Sequence, residues 1–307
     1  MKRWVWLPLL AVAFLVLAGA AGPTVFFQMK DPAGDEHGYG NYQYPTNIAF
    51  RPFKGLFDIT EFKVWSEQPG LVYFDTTFQD NTNPWLAPEG FIHQNLRIFI
   101  DSVPEQGSAS LPRRGAYVQF NPKYAWDIGL RIAGWGNSQL IFNDNGKYRH
   151  TSLKTEIMGD NRTIRATVPI SVIGTPARSW RYYVLVGSYD GFGEDFFRRV
   201  MRSPAEWAIG GGSDQYVEPQ VLDILAPDAG SQNRQLNSFD PAGSRLAELQ
   251  PVGAGLTAAW WRGWMLSLIG LALLGAAAYY GWRRLRRTGN ISWFWIRVRD
   301  REKQKGV

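Results

Sequence analysis

The chain has 307 residues, with 33 Lys+Arg against 27 Asp+Glu, 14 Trp, three His and no cysteine. Without cysteine there are no disulfides, thiol nucleophiles or Cys-ligated metal sites, and the scattered His37, His93 and His150 form no His-pair metal motif. The net charge of +6 belongs to the two ends: between Trp4 and Trp261 there are 21 basic and 25 acidic residues, so the body has no basic excess for nucleic acid.

In chain order, Lys2-Arg3, the apolar run Trp4 to Leu17 and the small residues Ala18-Gly19-Ala20 have the three parts of a signal peptide, assigned to residues 1–21. From residue 22 to 227 the pattern is period 2. Leu71 to Phe78, Phe91 to Ile100, Trp126 to Ala133, Thr163 to Ile170 and Trp180 to Ser188 combine β-branched and aromatic residues as strands do. Asn145-Gly146 is a hairpin turn signal. Short strands separated by turn residues predict an all-β, antiparallel β-sandwich. Residues 228–257, rich in Ala, Gly, Ser, Gln and Pro, read as a stalk. A transmembrane helix with its interfacial flank is expected over 258–282, because Trp264 to Trp282 is uncharged and flanked by Trp and Tyr. The Arg-rich tail, 283–307, then lies in the cytoplasm and the body outside the cell membrane.

Two loops are dense in carboxylates. Asp31 to Gly40 holds Asp31, Asp35 and Glu36 among Gly and Pro, and Tyr189 to Asp195 holds Asp190, Glu194 and Asp195. Ca²⁺ takes six to eight hard oxygen ligands, which such loops supply; the competing reading is a pair of ordinary solvated turns. Trp85 and Trp135 stand beside Asn, Pro or Gly, which suits exposed loop tips. An exposed indole offers a flat face to the C–H side of a sugar ring, whereas a buried one is core. No catalytic constellation is found: Gly187-Ser188-Tyr189-Asp190-Gly191 is not a nucleophile elbow, and Gly210-Gly211-Gly212 lacks the Lys-Ser/Thr of a phosphate loop.

An ordered set of motifs carries a family resemblance. Asp31 to Pro45, Gly55 to Phe62, Asn83-Pro84-Trp85 with Gly90 to Gln94, Ile98 to Asp101, Gly187 to Gly193, Trp207 to Gly212 and Val221 to Leu225 resemble the C-terminal module of glucodextranases and related amylopullulanases. The resemblance spans about Phe26 to Pro227 and implies a DOMON-like sandwich, akin to family 9 carbohydrate-binding modules. It also implies a calcium site and sugar binding or surface attachment. No glycosidase domain accompanies it, so glucan hydrolysis does not carry over. Glu36 stands where the family has a second Asp.

The resulting expectation is a non-catalytic, membrane-tethered module outside the cell that binds a polysaccharide or glycan, an α-glucan being favoured, beside a neighbouring glycosidase or transporter. Trp85, Trp135 and Tyr189 are the candidate sugar-stacking residues. A structural Ca²⁺ is expected on Asp31, Asp35 and Asp58, with Asp190 and Asp195 joining it or forming a second site. Two alternatives stand: a surface or assembly protein that binds a protein partner, and a haem-binding DOMON module using a pair from Met29, Met158, Met201, His93 and His150.

Overall fold

The computed structural model describes residues 22–254 and Tyr279. The chain divides into two compact units, Met1–Ala254 and Gly255–Val307, and the architecture below is that of the first. The expected signal peptide, membrane span and basic tail lie outside the described residues. Among the described residues no helix is long and apolar enough to cross a membrane.

The protein is mostly β, built from antiparallel sheets with few helices. One sheet holds β1 (Thr24–Lys30), β2 (Ile59–Ser66), β3 (Leu71–Phe78), β10 (Thr163–Pro169) and β9 (Lys154–Ile157), in that spatial order. The other, six-stranded, runs β12 (Asp223–Ile224), β11 (Arg181–Ser188), β4 (Gln94–Asp101), β6 (Ile128–Ile132), β7 (Gln139–Asp144) and β8 (Lys147–Ser152). In the five-stranded sheet β2 and β10 alternate: Phe62, Val64, Ile164, Ala166 and Val168 point inward, while Lys63 and Arg165 face out. Its inner face shares one core with Leu96, Ile98, Ile100, Tyr182, Val184 and Val186 of the six-stranded sheet. The β7–β8 hairpin turns at Asn145 and Gly146, both at positive φ (49° and 90°), the conformation an Asn-Gly hairpin turn needs.

β4 and β11 do not alternate, because the six-stranded sheet is covered on both faces. Its outer side packs Phe99, Tyr183, Leu185 and Ile141 against Trp126, Phe120, Leu236 and Leu249. Part of that cover is the stretch read as a stalk, and here the expected boundary is corrected. Asp228 caps helix α2 (Ala229–Leu236; α1 is the single turn Ile170–Ile173), and β13 (Ala247–Leu249) pairs in parallel with β5 (Val118–Phe120). Val252 then exchanges two 2.8 Å hydrogen bonds with Tyr182. Burial of Leu236, Ala247, Leu249 and Val252 holds this polar segment to the body as far as residue 254.

Strand polarity decides where the loops emerge. β1, β3, β6 and β11 end, and β2, β4 and β7 begin, at one end of the sandwich, as the pairs Ile59↔Phe78, Gln94↔Ser188 and Leu96↔Ile132 require. The segments 31–58, 79–93, 133–138 and 189–222 therefore gather there, and they contain most of the quoted motifs.

Candidate functional site

Two features are built from these loops. The first is a group of buried carboxylates. Asp31, just after β1, Asp35 and Asp223 of β12 each offer an oxygen within 4.8 Å of the others, a group able to hold a metal ion. Asp58, fully buried just before β2, lies close enough for its charge to act on Asp31. One oxygen of three of them is fixed by a backbone N–H: Ala226 donates to Asp31 Oδ1, Gly34 to Asp58 Oδ2 and Ile59 to Asp223 Oδ2, each at 2.7 Å. Gly34 makes its donation from φ 89°, a backbone form that glycine adopts without strain. The other oxygen of each, and both oxygens of Asp35, are buried with no hydrogen-bond partner. Among the described residues no Lys or Arg forms an ion pair with any of the four. Desolvation, reinforced by the neighbouring charges, therefore pushes Asp31 up to about 9, Asp58 to about 7 and Asp35 to about 6, and raises Asp223 well above the carboxylate range. Carboxylates with orphaned, converging oxygens and no cation fit a hard divalent ion by their donor chemistry.

Of the residues read as calcium ligands, the fold brings Asp31, Asp35 and Asp58 together and takes Asp190 and Asp195 elsewhere. Asp195 bonds Arg97 at 3.1 Å and lies 3.6 Å from Arg131, while Asp190 lies 3.7 Å from Arg198. Each already has a cation, so that loop keeps no uncompensated acid pair. Glu36 is not at the cluster either: its carboxylate accepts from the backbone of Gly55 and Phe57 and from the Tyr44 hydroxyl, clamping the segment before β2. Asp223 was missed. Its signal is a lone acid inside the apolar run Val221-Leu222-Asp223-Ile224-Leu225, where a carboxylate needs a partner to be buried.

The second feature is aromatic. Trp126 and Trp180 are core, but Trp85, Trp135 and Trp207 are 42, 49 and 43% exposed. Trp135 sits on a tip held by Glu89, whose carboxylate accepts from the N–H groups of Trp135 (3.0 Å) and Gly136 (2.6 Å). Trp85 rides a loop closed by Asn83, which bonds both the N–H and the carbonyl of Ala87 at 2.8 Å. Tyr189 is half-buried; its hydroxyl accepts from Asn137 and its ring packs on Phe196 at 5.7 Å. Trp207, which sequence reasoning did not select, lies 6.0 Å from Trp85 with the rings tilted by 38°. His93 is enclosed beside them, 5.5 Å from Trp85 and 4.6 Å from Phe50, with Nε2 unpartnered and its pKa pushed down to about 4 by burial.

The comparison with known families follows the same residues. The profile of the C-terminal, SLH-like binding module of glucodextranase matches residues 26–251. The chain belongs to this family. The matched range covers both sheets, the carboxylate group, the aromatic loops and the α2–β13 segment, so the glucodextranase-type module ends near residue 251 rather than 227. The match is to a binding module and not to a catalytic domain. No curated protein matches the chain.

Proposed function

We propose that this protein is a non-catalytic glycan-binding module, displayed outside the cell and tethered by its C-terminal segment, with an α-glucan as the favoured ligand. One observation carries the reading: within a binding-module family, the loops at one end of the sandwich carry half-exposed Trp85 and Trp135 on tips fixed by side-chain hydrogen bonds. Rings held in place lose little freedom on stacking, so they suit weak, reversible capture of a sugar chain. Affinities in the micromolar to millimolar range, on the order of −4 to −8 kcal/mol, are expected.

Asp31, Asp35, Asp58 and Asp223 would hold Ca²⁺, whose charge would relieve their mutual repulsion and stiffen the loops beside the sugar face. The signal peptide, the span over 258–282 and the basic tail belong to the same proposal. They are supported by the apolar runs and the Arg-rich flank.

The test is retention of the full-length, detergent-solubilised protein on polysaccharide affinity gels with Ca²⁺ present. Retardation by an α-glucan, lost in Trp85→Ala or Trp135→Ala at unchanged melting temperature, is the expected result. Released reducing sugar would contradict the non-catalytic assignment. A protein-partner reading is favoured by one observation, the apolar Leu86 (82% exposed) and Ile48 (67%), each adjoining this face. It gains if no polysaccharide retards the protein.

A further inference from the structure

We propose that Trp85 and Trp207 act as one two-ring platform that reads two consecutive sugar units of a neutral chain whose units turn relative to one another, as in α-linked glucans. The proposal rests on the glycan-binding reading above and adds a residue, a minimum ligand length and a linkage preference. The two indoles come from loops more than a hundred residues apart, yet their centroids are 6.0 Å apart and both rings are partly open to solvent. Their 38° tilt matters for selection. A flat, ribbon-like β-1,4 chain offers nearly coplanar sugar faces, which cannot lie on both rings at once. A curving α-linked chain presents successive faces at an angle.

The pair is supported from behind rather than left to rotate. Arg198 is buried, donates to the Trp207 carbonyl (2.6 Å), the Tyr189 carbonyl (2.8 Å) and Ser188 Oγ (3.3 Å), and lays its guanidinium 5.8 Å from the Trp207 ring and 5.5 Å from Phe50. Phe50 in turn lies 6.1 Å from Trp207 and 4.6 Å from His93. His93 Nε2, buried beside the Trp85 ring, has no protein partner. His93 is enclosed, so it backs the Trp85 ring from the protein side rather than meeting a ligand. At the rim, Asn47 and Glu206 are bonded to each other at 2.9 Å in an exposed position, ready to exchange that contact for sugar hydroxyls.

The experiment is a titration of the full-length protein in detergent, followed by tryptophan fluorescence and calorimetry. The ligands are glucose, the α-1,4- and α-1,6-linked di- and trisaccharides, and the cello-series of equal length. Affinity is expected to rise by about tenfold or more from one α-linked unit to two, and the cello-disaccharide to bind about tenfold weaker than its α-linked counterparts. Trp207→Ala should erase the gain from the second unit, and Trp207→Phe should keep part of it. Melting temperatures confirm folding, and Trp207→Phe retains a ring against Phe50 and Arg198 if the alanine variant is unstable. A second-unit gain that survives in Trp207→Ala, or cello-oligosaccharides bound as tightly as α-linked ones, would overturn the paired platform while leaving glycan binding in place. A wild-type protein that binds no glycan would overturn both.

Discussion

Asp31, Asp35, Asp58 and Asp223 show how buried charge makes a metal prediction quantitative. An ion that binds only the folded state adds about 2.7 kcal/mol at a hundredfold excess over Kd, which for a module of this size is a rise of roughly 5–10 °C in melting temperature. Calorimetric melts in chelator and in excess Ca²⁺ measure it, and coincident transitions would remove calcium from the account. In chelator the raised pKa values set the pH trend. The folded state holds its protons more tightly than the unfolded chain, so the stabilisation is complete below about pH 4 and is lost as pH rises toward about 9. Calcium should flatten that slope and release protons as it binds near pH 7, which titrations in buffers of different ionisation enthalpy detect. Asp223→Asn keeps an acceptor for the Ile59 N–H and discards one negative oxygen. The variant should melt no lower than the parent in chelator at pH 9, yet lose most of the calcium response. His93 gives the opposite limb. Its depressed pKa means stability is full above about 6.5 and falls as pH drops toward about 4, by roughly 3 kcal/mol over the whole interval. His93→Gln should shrink that acid-side loss in denaturant titrations at pH 4.5 and 7.

At the scale of elements, β10 was legible because one face is wet and the other dry, and β3 through its β-branched and aromatic residues, whereas β1, β2 and β9 of the same sheet were not read as strands. β4 and β11 were legible through their β-branched and aromatic residues, Ile98 to Ile100 and Tyr182 to Val186, which do not report the second cluster that covers their outer face. α2 and β13 were not legible. Their sequence is polar, and a handful of buried residues fix them through partners far away in the chain, such as the register Leu249↔Phe120. Local composition cannot report a parallel pairing across that distance. The site divides the same way: Asp31, Asp35, Trp85 and Trp135 announced themselves through loop chemistry, whereas Asp223 and Trp207 acquire meaning only from the neighbours the fold supplies. Leu249 provides the check on the corrected boundary. Leu249→Ala should lower unfolding free energy by ~2–5 kcal/mol, as loss of a buried leucine does, while an unpacked stalk would register almost nothing in the same urea titration.

At the scale of the whole molecule, polarity of the strands brings the acidic and aromatic loops to one end, and the chain leaves the module at residue 254. The proposed topology makes a plain forecast for intact cells or spheroplasts. Added protease should remove the body and spare a fragment containing Arg283 to Val307, and digestion of that tail with the body protected would reverse the orientation. The route by which the chain leaves has a mechanical consequence. Tension applied at residue 254 falls first on the two hydrogen bonds between Val252 and Tyr182, then on the three-residue ladder of β13 with β5, loaded along its length. These few bonds yield before either sheet feels the load. If α2 follows, about 90 Å of extended chain pays out. The end of the module is therefore a spring in two stages: release of β13 leaves the loops at the far end in place, whereas release of α2 also frees the Asp35 and Tyr39 carbonyls that Gln232 and Asn233 hold.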